Sequence, residues 1–230
     1  MDLDDAIRTT AAIREFTADP LPDEVLHRIL DTARFAPSGG NRQGAHVVVV
    51  RDPGTRRRLA ELSEPGTRRY MAQARAGETP WNPLAPAGVD AEQIAATPVP
   101  AAFVEPLHTA AVVLVVLVDL GALAATDQDL DRIGLVGGAS VYPLVWNVLL
   151  AARAEGYGGT ITTMAVAREP EVLELVGAPA GYALACVVPL GRPRHQPTRL
   201  RRQRVEEFVT RERFDGPPLA AESDASTGRK

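Results

Sequence analysis

The sequence predicts a three-layer domain of the α+β or α/β class, and three observations carry that expectation. Residues 46–50, 110–119 and 182–190 are near-continuous apolar runs rich in Val, Leu and Ala, the pattern of strands covered on both faces. Between these runs lie segments whose apolar residues recur at helical spacing. Neither an internal repeat nor an interior linker interrupts the alternation, so helices are expected to flank one sheet within a single domain over 1–215.

The elements follow in chain order. Leu3 and Ile7, four residues apart, mark a first short helix. Leu26, Ile29, Leu30 and Ala33 mark a second, with Pro22 and Asp23 suited to its first turn. It must stop by Pro37, because the residue before a proline is pushed out of the helical region. The strand at 46–50 comes next, and Asp52-Pro53 reads as the cap and first turn of a helix carrying Leu59 and Leu62. From 64 to 106 the periodicity dissolves into Gly, Pro, Ala and Thr with scattered Tyr70, Trp81 and Phe103, which predicts an excursion or lid. After the strand at 110–119, Val141, Leu144, Val145, Val148, Leu149 and Ala152 define a long amphipathic helix that Gly156-Tyr157-Gly158-Gly159 ends. Residues 160–163 are expected to begin a strand, 171–176 to be helical, and 182–190 to form the last buried strand. Val205, Phe208 and Val209 suggest a final helix, and 216–230 has the composition of a disordered tail.

Composition narrows the function. The 230 residues are 45% hydrophobic with a formal net charge of −4, so nothing draws the chain as a whole to nucleic acid. The arginines at 56–58 and at 199, 201, 202 and 204 are local clusters, read first as solvated faces. A single cysteine, Cys186, sits inside an apolar run and reads as a buried structural thiol. The acidic start Met1-Asp2-Leu3-Asp4-Asp5 lacks the features of a secretory signal, and the longest apolar stretch falls well short of a membrane helix. A cytoplasmic protein is the expectation. No dinucleotide G-x-G-x-x-G, phosphate loop, nucleophile elbow or zinc-protease motif occurs, and His27, His46, His108 and His195 show no metal-ligand spacing. An enzyme with this sequence would draw its reactivity from a bound cofactor.

The most informative local feature is Ala36-Pro37-Ser38-Gly39-Gly40-Asn41-Arg42-Gln43, placed between a helix that must end and a strand that must begin. Such a loop offers backbone N–H groups, a hydroxyl and two carboxamides to a ligand. Read alone, it is equally an ordinary helix-to-strand turn. The segment resembles the A-P-S-x-x-N-x-Q loop of the nitroreductase family of FMN enzymes. Further segments fall in the family's order: Ile13-Arg14-Glu15-Phe16 before it, then Gly138-Ala139-Ser140 leading into Asn147-Val148-Leu149-Leu150-Ala151-Ala152, Gly156-Tyr157-Gly158, and Val188-Pro189-Leu190-Gly191-Arg192-Pro193. The resemblance covers about residues 2–214.

What the resemblance implies is a nitroreductase-like α/β/α fold with a mainly antiparallel central sheet, and a homodimer holding two FMN molecules at its interface. It further implies ping-pong hydride transfer through flavin N5, from NADH or NADPH to a small-molecule acceptor such as a nitroaromatic or quinone. No side chain is assigned as catalytic, the chemistry belonging to the flavin. The cofactor-binding residues it implies are Pro37, Ser38, Gly39, Asn41 and Gln43 of the loop, Asn147 of the central helix, and Arg14 at flavin O2 or the phosphate. Thr160, Thr162 and Thr163 would pass the N5 edge, and Arg202, with Arg201 as substitute, would meet the FMN phosphate. A flavin-sequestering protein with little turnover and a metabolite-modifying branch remain alternatives. Where the family often has R-R-S-x-R or T-R-A-x-R, this chain has Thr10-Ala11-Ala12-Ile13-Arg14, and Gly44-Ala45 stands where Pro-Trp is frequent. Trp146 replaces a common glutamine before Asn147.

Overall fold

The computed structural model describes residues 1–220. The chain divides into two compact units, Met1–Pro197 and Thr198–Lys230. In the first, helices α1 (Leu3–Thr9) and α2 (Asp23–Ala33) precede strand β1 (Ala45–Val50). Helices α3 (Pro53–Arg75), α4 (Ala91–Ala96) and α5 (Ala101–Thr109) lead to β2 (Val112–Asp119). Helix α6 (Tyr142–Ala154), the short strand β3 (Gly158–Gly159), helix α7 (Glu169–Leu175) and β4 (Tyr182–Gly191) complete it. The four strands form one antiparallel sheet in the order β1-β2-β4-β3.

Three layers follow from the two-residue period of β2. Val112, Leu114, Val116 and Val118 join Leu26, Ile29 and Ala33 of α2 and Val145, Val148 and Leu149 of α6 in one apolar layer. Val113, Val115 and Leu117 join Leu59 and Leu62 of α3, Leu107 of α5 and Val172 of α7 on the other face. Burying each of these Val or Leu side chains contributes about 1.5–3 kcal/mol before chain entropy is counted. A register shift between Val116 and Leu117 leaves Ala185 as an extra residue in β4. Cys186 beside it is fully buried, and desolvation pushes its thiol up to about 12, as an inert core residue requires. Among the described residues no helix is long and apolar enough to cross a membrane.

Several local expectations need correction. Helix α3 runs unbroken through Glu64 and Pro65 to Arg75, and α4 and α5 fill much of what reads as an excursion. The buried side of α3 continues through Ser63, Gly66 and Thr67 rather than through large apolar residues. Ser63 and Thr67 satisfy their hydroxyls on the helix's own carbonyls, donating to Leu59 O at 2.8 Å and Ser63 O at 2.9 Å. Gly66 lets the helix lie against Met164, whose carbonyl oxygen would sit 2.2 Å from any Cβ there. Residues 160–163 do not extend β3. Gly159 pairs with Leu190, and the next position opposite is Pro189, which has no N–H for the ladder, so pairing resumes only at Thr162 with Val187. Leu3 and Ile7 of α1 face outward, and Ala6 is its buried residue.

Arg56 likewise departs from a solvated face: its half-buried guanidinium donates to Leu107 O at 2.9 Å and to Ala110 O, capping the end of α5. Burial, with the nearby Arg51 charge, lowers its pKa. In the second unit the expected helix at 205–209 is a single 3-10 turn, Val205–Glu207, followed by a bridge between Thr210 and Pro218. Of the expected tail, 221–230 lie outside the described residues.

Candidate functional site

Extended chain laid along the edge strand creates the site. Ala12 bridges Gly159 in parallel, the Ile13 N–H donates to Gly159 O at 2.9 Å, and Phe16 bridges Pro193. Exposure alternates from Ala11 to Arg14, so Ile13 turns inward onto Gly158 while Arg14 turns out. A cavity of about 90 Å³ opens there, lined by Arg14, Phe103 and Pro106 of α5, residues 160–164, and Pro189.

Its chemistry is that of a donor set. Thr162 exchanges both backbone hydrogen bonds with Val187, at 2.9 and 2.8 Å, so its own N–H is committed to the sheet. Among the described residues the Thr163 N–H donates to no backbone carbonyl, and the hydroxyl of buried Thr160 makes no hydrogen bond. With Arg14 the one charged residue in the lining and no carboxylate there, the cavity suits an acceptor-rich or anionic group. Arg14, Thr160, Thr162 and Thr163 thus line one cavity.

The 37–43 loop lies elsewhere in the chain. It follows α2 on the opposite side of the sheet from α5, and its residues are not among those lining the cavity. Gly40, Asn41 and Gln43 all have left-handed backbone, with φ of 61°, 53° and 51°. The turn is held by the Gln43 N–H donating to Ser38 Oγ at 3.0 Å and the Gly39 N–H donating to Ser140 Oγ at 3.1 Å. Gly44, which stands where the family often has Pro, is required by close approach: a Cβ there would meet Ala122 Cβ at 2.5 Å. Asn147 is half-buried and reaches back to the end of α2, its Nδ2 donating to Ala33 O at a long 3.5 Å. Arg201 and Arg202 are exposed residues of the second unit, where Arg202 donates to Arg201 O at 2.7 Å.

Sequence reasoning missed Phe103, Pro106 and Met164 as lining residues. It also missed an adjoining cleft of about 400 Å³ whose walls include Trp81, Tyr142 and Leu184. Trp81 and Phe103 were visible as isolated aromatics in a segment without periodicity, and that composition was the one available signal.

Residues 7–192 match the nitroreductase family. The chain belongs to that family. Two curated relatives frame its breadth. NADH dehydrogenase of Thermus thermophilus is 41% identical over 63 residues, 27% of this chain and 31% of that protein. Iodotyrosine deiodinase 1 of Rattus norvegicus is 26% identical over 183 residues, 79% of this chain and 59% of that protein. The chain thus spans less than two thirds of either relative. Among solved structures, oxidized iodotyrosine deiodinase bound to FMN and 3-iodo-L-tyrosine superposes with a TM-score of 0.67 at 21% identity, covering 93% of this chain and 100% of that one. That likeness is one of fold, and it agrees with the three-layer nitroreductase architecture described above.

Proposed function

We propose that this nitroreductase-family chain is an FMN-dependent NAD(P)H oxidoreductase that works as a homodimer and reduces a nitroaromatic, a quinone or a similar small acceptor. The observation that carries this reading is the convergence of Arg14 with Thr160 and Thr163 on one cavity free of carboxylates, within the family match. A cation, a free hydroxyl and an unused backbone N–H fit the acceptor-rich pyrimidine edge of a flavin. Bound FMN would supply the hydride-accepting and hydride-donating centre. Arg14 would stabilise negative charge at that edge, and Thr160 and Thr163 would orient it. Ser38, Asn41 and Gln43, with Pro37 and Gly39 shaping their turn, belong to the same cofactor site contributed across a dimer. Asn147 holds the end of α2 from which that turn departs. Arg202, with Arg201, is assigned the phosphate on the sequence resemblance.

Two observations support the homodimer. A broad hollow of about 860 Å³ is walled by Leu123, Leu135, Tyr142 and Trp146. Leu130 and Ile133, in the segment between the lining residues Gln128 and Gly134, add exposed apolar side chains. Such a concentration of uncovered apolar side chains marks an association surface. Sharing would also explain why the 37–43 turn and the Arg14 cavity sit on different layers of one chain.

The test is the absorption spectrum of the purified protein, followed by anaerobic addition of NADH or NADPH, with mass determined by ultracentrifugation. A yellow dimer that bleaches supports the proposal. A yellow protein that stays oxidised would make it a flavin-holding protein, and a colourless protein that takes up no FMN would end both readings. A second acceptor class, halogenated aromatics, is favoured by the alignment with rat iodotyrosine deiodinase 1 over 79% of this chain, and halide release under the same conditions reads it out.

A further inference from the structure

The 400 Å³ cleft adjoins the Arg14 cavity, sharing Thr163 and Met164 with it, and its other walls include Trp81, Tyr142, Leu184 and Ala185. It is apolar, of a size suited to a small organic molecule, and none of its lining residues is acidic. The Tyr142 hydroxyl is satisfied within the wall, donating to Ala185 O at 3.2 Å.

Trp81 is held in place at a cost. Its φ of 57° is in the left-handed region, where a bulky side chain is strained, and such strain persists only where the surroundings impose it. Here a chain of hydrogen bonds imposes it. The Trp81 N–H donates to Oε1 of buried Gln73 at 3.2 Å, Gln73 Nε2 donates to Glu78 Oε2 at 2.9 Å, and Glu78 Oε1 accepts the Gly88 N–H at 2.9 Å. Although anchored, Trp81 is 43% exposed.

Behind the indole lies Arg69 of α3, its guanidinium carbon 4.1 Å from the ring centroid. Arg69 Nε is buried without a hydrogen-bond partner, and among the described residues no carboxylate pairs with this side chain. Glu64 of α3 pairs instead with Arg68 at 3.1 Å, and Glu78 is hydrogen-bonded to Gln73 and to the Gly88 N–H. A guanidinium with no ion-pair partner among the described residues therefore stands behind an aromatic wall, although the Glu78 carboxylate that anchors Trp81 through Gln73 lies in the same segment.

We propose that Trp81 and Arg69 determine acceptor specificity, and that the cleft takes a planar aromatic anion such as an aryl carboxylate. Trp81 and Tyr142 supply ring surface for stacking, and Arg69, acting through Trp81, supplies the charge preference. As an acceptor pocket the cleft rests on the oxidoreductase reading above; as a binding site it does not.

The experiment is calorimetric titration of the protein as purified with two probes that cannot be reduced under these conditions, 2-naphthoate and the neutral 2-naphthalenemethanol. The naphthoate is expected to bind at least tenfold more tightly than the alcohol. Trp81→Gly, which also relieves the left-handed strain, should weaken both probes at least tenfold, whereas Trp81→Phe should stay within about threefold of wild type. Arg69→Met should keep the alcohol and lose the preference for the anion. Equal affinity of wild type for the two probes, or a preference that survives Arg69→Met, would overturn the assignment. Since binding is read without turnover, naphthoate binding to a protein that NAD(P)H does not reduce would sink the oxidoreductase reading and leave the cleft standing.

Discussion

Ala12 and Gly159 face each other across an isolated parallel bridge, and this pairing decides which side of the N-terminal segment looks into the cavity. Arg14 and Ala12, two residues apart in extended chain, share the outer side. Ala11 faces the apolar cluster of Ile13, Phe16 and Ala110. The arginine that the family carries at the position of Ala11 therefore has no room on that side, whereas the outer side at Ala12 is open to an introduced cation. Ala12→Arg is expected to tighten FMN by roughly 10-fold or more, the yield of about 1.5–3 kcal/mol for a charge-assisted contact. Ala11→Arg should instead lower stability by forcing a cation into an apolar cluster. Fluorescence titration of FMN with thermal melts of both variants checks this, and equal behaviour would show that the side assignment is wrong.

Arg202→Ala is expected to weaken FMN binding at least tenfold, because a planar guanidinium fork matches a phosphate dianion. The same titration with riboflavin, which lacks the phosphate, should show no difference between variant and wild type. An unchanged FMN dissociation constant would move the phosphate away from Arg202.

Gly66→Ala should be costly for a helix substitution that ordinarily stabilises. A methyl group there would stand 2.2 Å from Met164 O, so α3 must move off the segment that carries Thr163. A loss of about 1–3 kcal/mol is expected, at roughly 2–4 °C in Tm per kcal/mol for a chain of this size. FMN affinity should fall with it. A variant as stable as wild type would mean that α3 does not hold this part of the site.

The sheet was legible because β2 and β4 are buried on both faces and β1 carries a run of valines, so the runs at 46–50, 110–119 and 182–190 differ by a residue or two from β1, β2 and β4; the expected burial fails at β1, an edge strand in which Val50 alone is buried and Val49 is exposed. Helix α3 was legible only to Glu64, since Ser63, Gly66 and Thr67 bury a face that carries no hydropathy signal. The interruption after Gly159 depends on Pro189 lying opposite, a fact of register that spacing along the chain does not contain. The same holds for the site. Arg14 and residues 160–163 come to one cavity because Ala12 and Gly159 pair, a contact that linear order does not contain. The Arg69–Trp81 stack had no counterpart in any linear pattern, since a loop with left-handed Trp81 brings the ring back over α3.

Arg56→Met should destabilise by about 1–3 kcal/mol, because it strips the donors from Leu107 O and Ala110 O in a half-buried place. Arg56→Lys keeps the charge but not the fork, and an intermediate loss is expected. Urea unfolding of the three proteins orders them; a wild-type midpoint for the Met variant would show that water satisfies the carbonyls equally well.

Asp127 provides the clearest pH dependence. Its carboxylate, 4% exposed, accepts from the Leu135 N–H at 2.8 Å, Arg132 at 2.8 Å and the Val136 N–H at 3.2 Å. The Leu135 hydrogen bond first and the Arg132 contact second hold its pKa at about 2, below the ordinary value of about 4 for an unfolded chain. A lowered folded-state pKa means that the contribution is complete above pH ~4 and is lost as pH falls from ~4 toward ~2. Asp127→Asn removes the charge at every pH. It should therefore lower the urea midpoint at pH 7, and the gap to wild type should narrow steadily below pH ~4. A gap of constant size across that window would mean that Asp127 contributes through shape rather than charge. Because Asp127 and the Leu135 that it holds both line the hollow walled by Trp146, the same variant should also weaken the proposed dimer at pH 7.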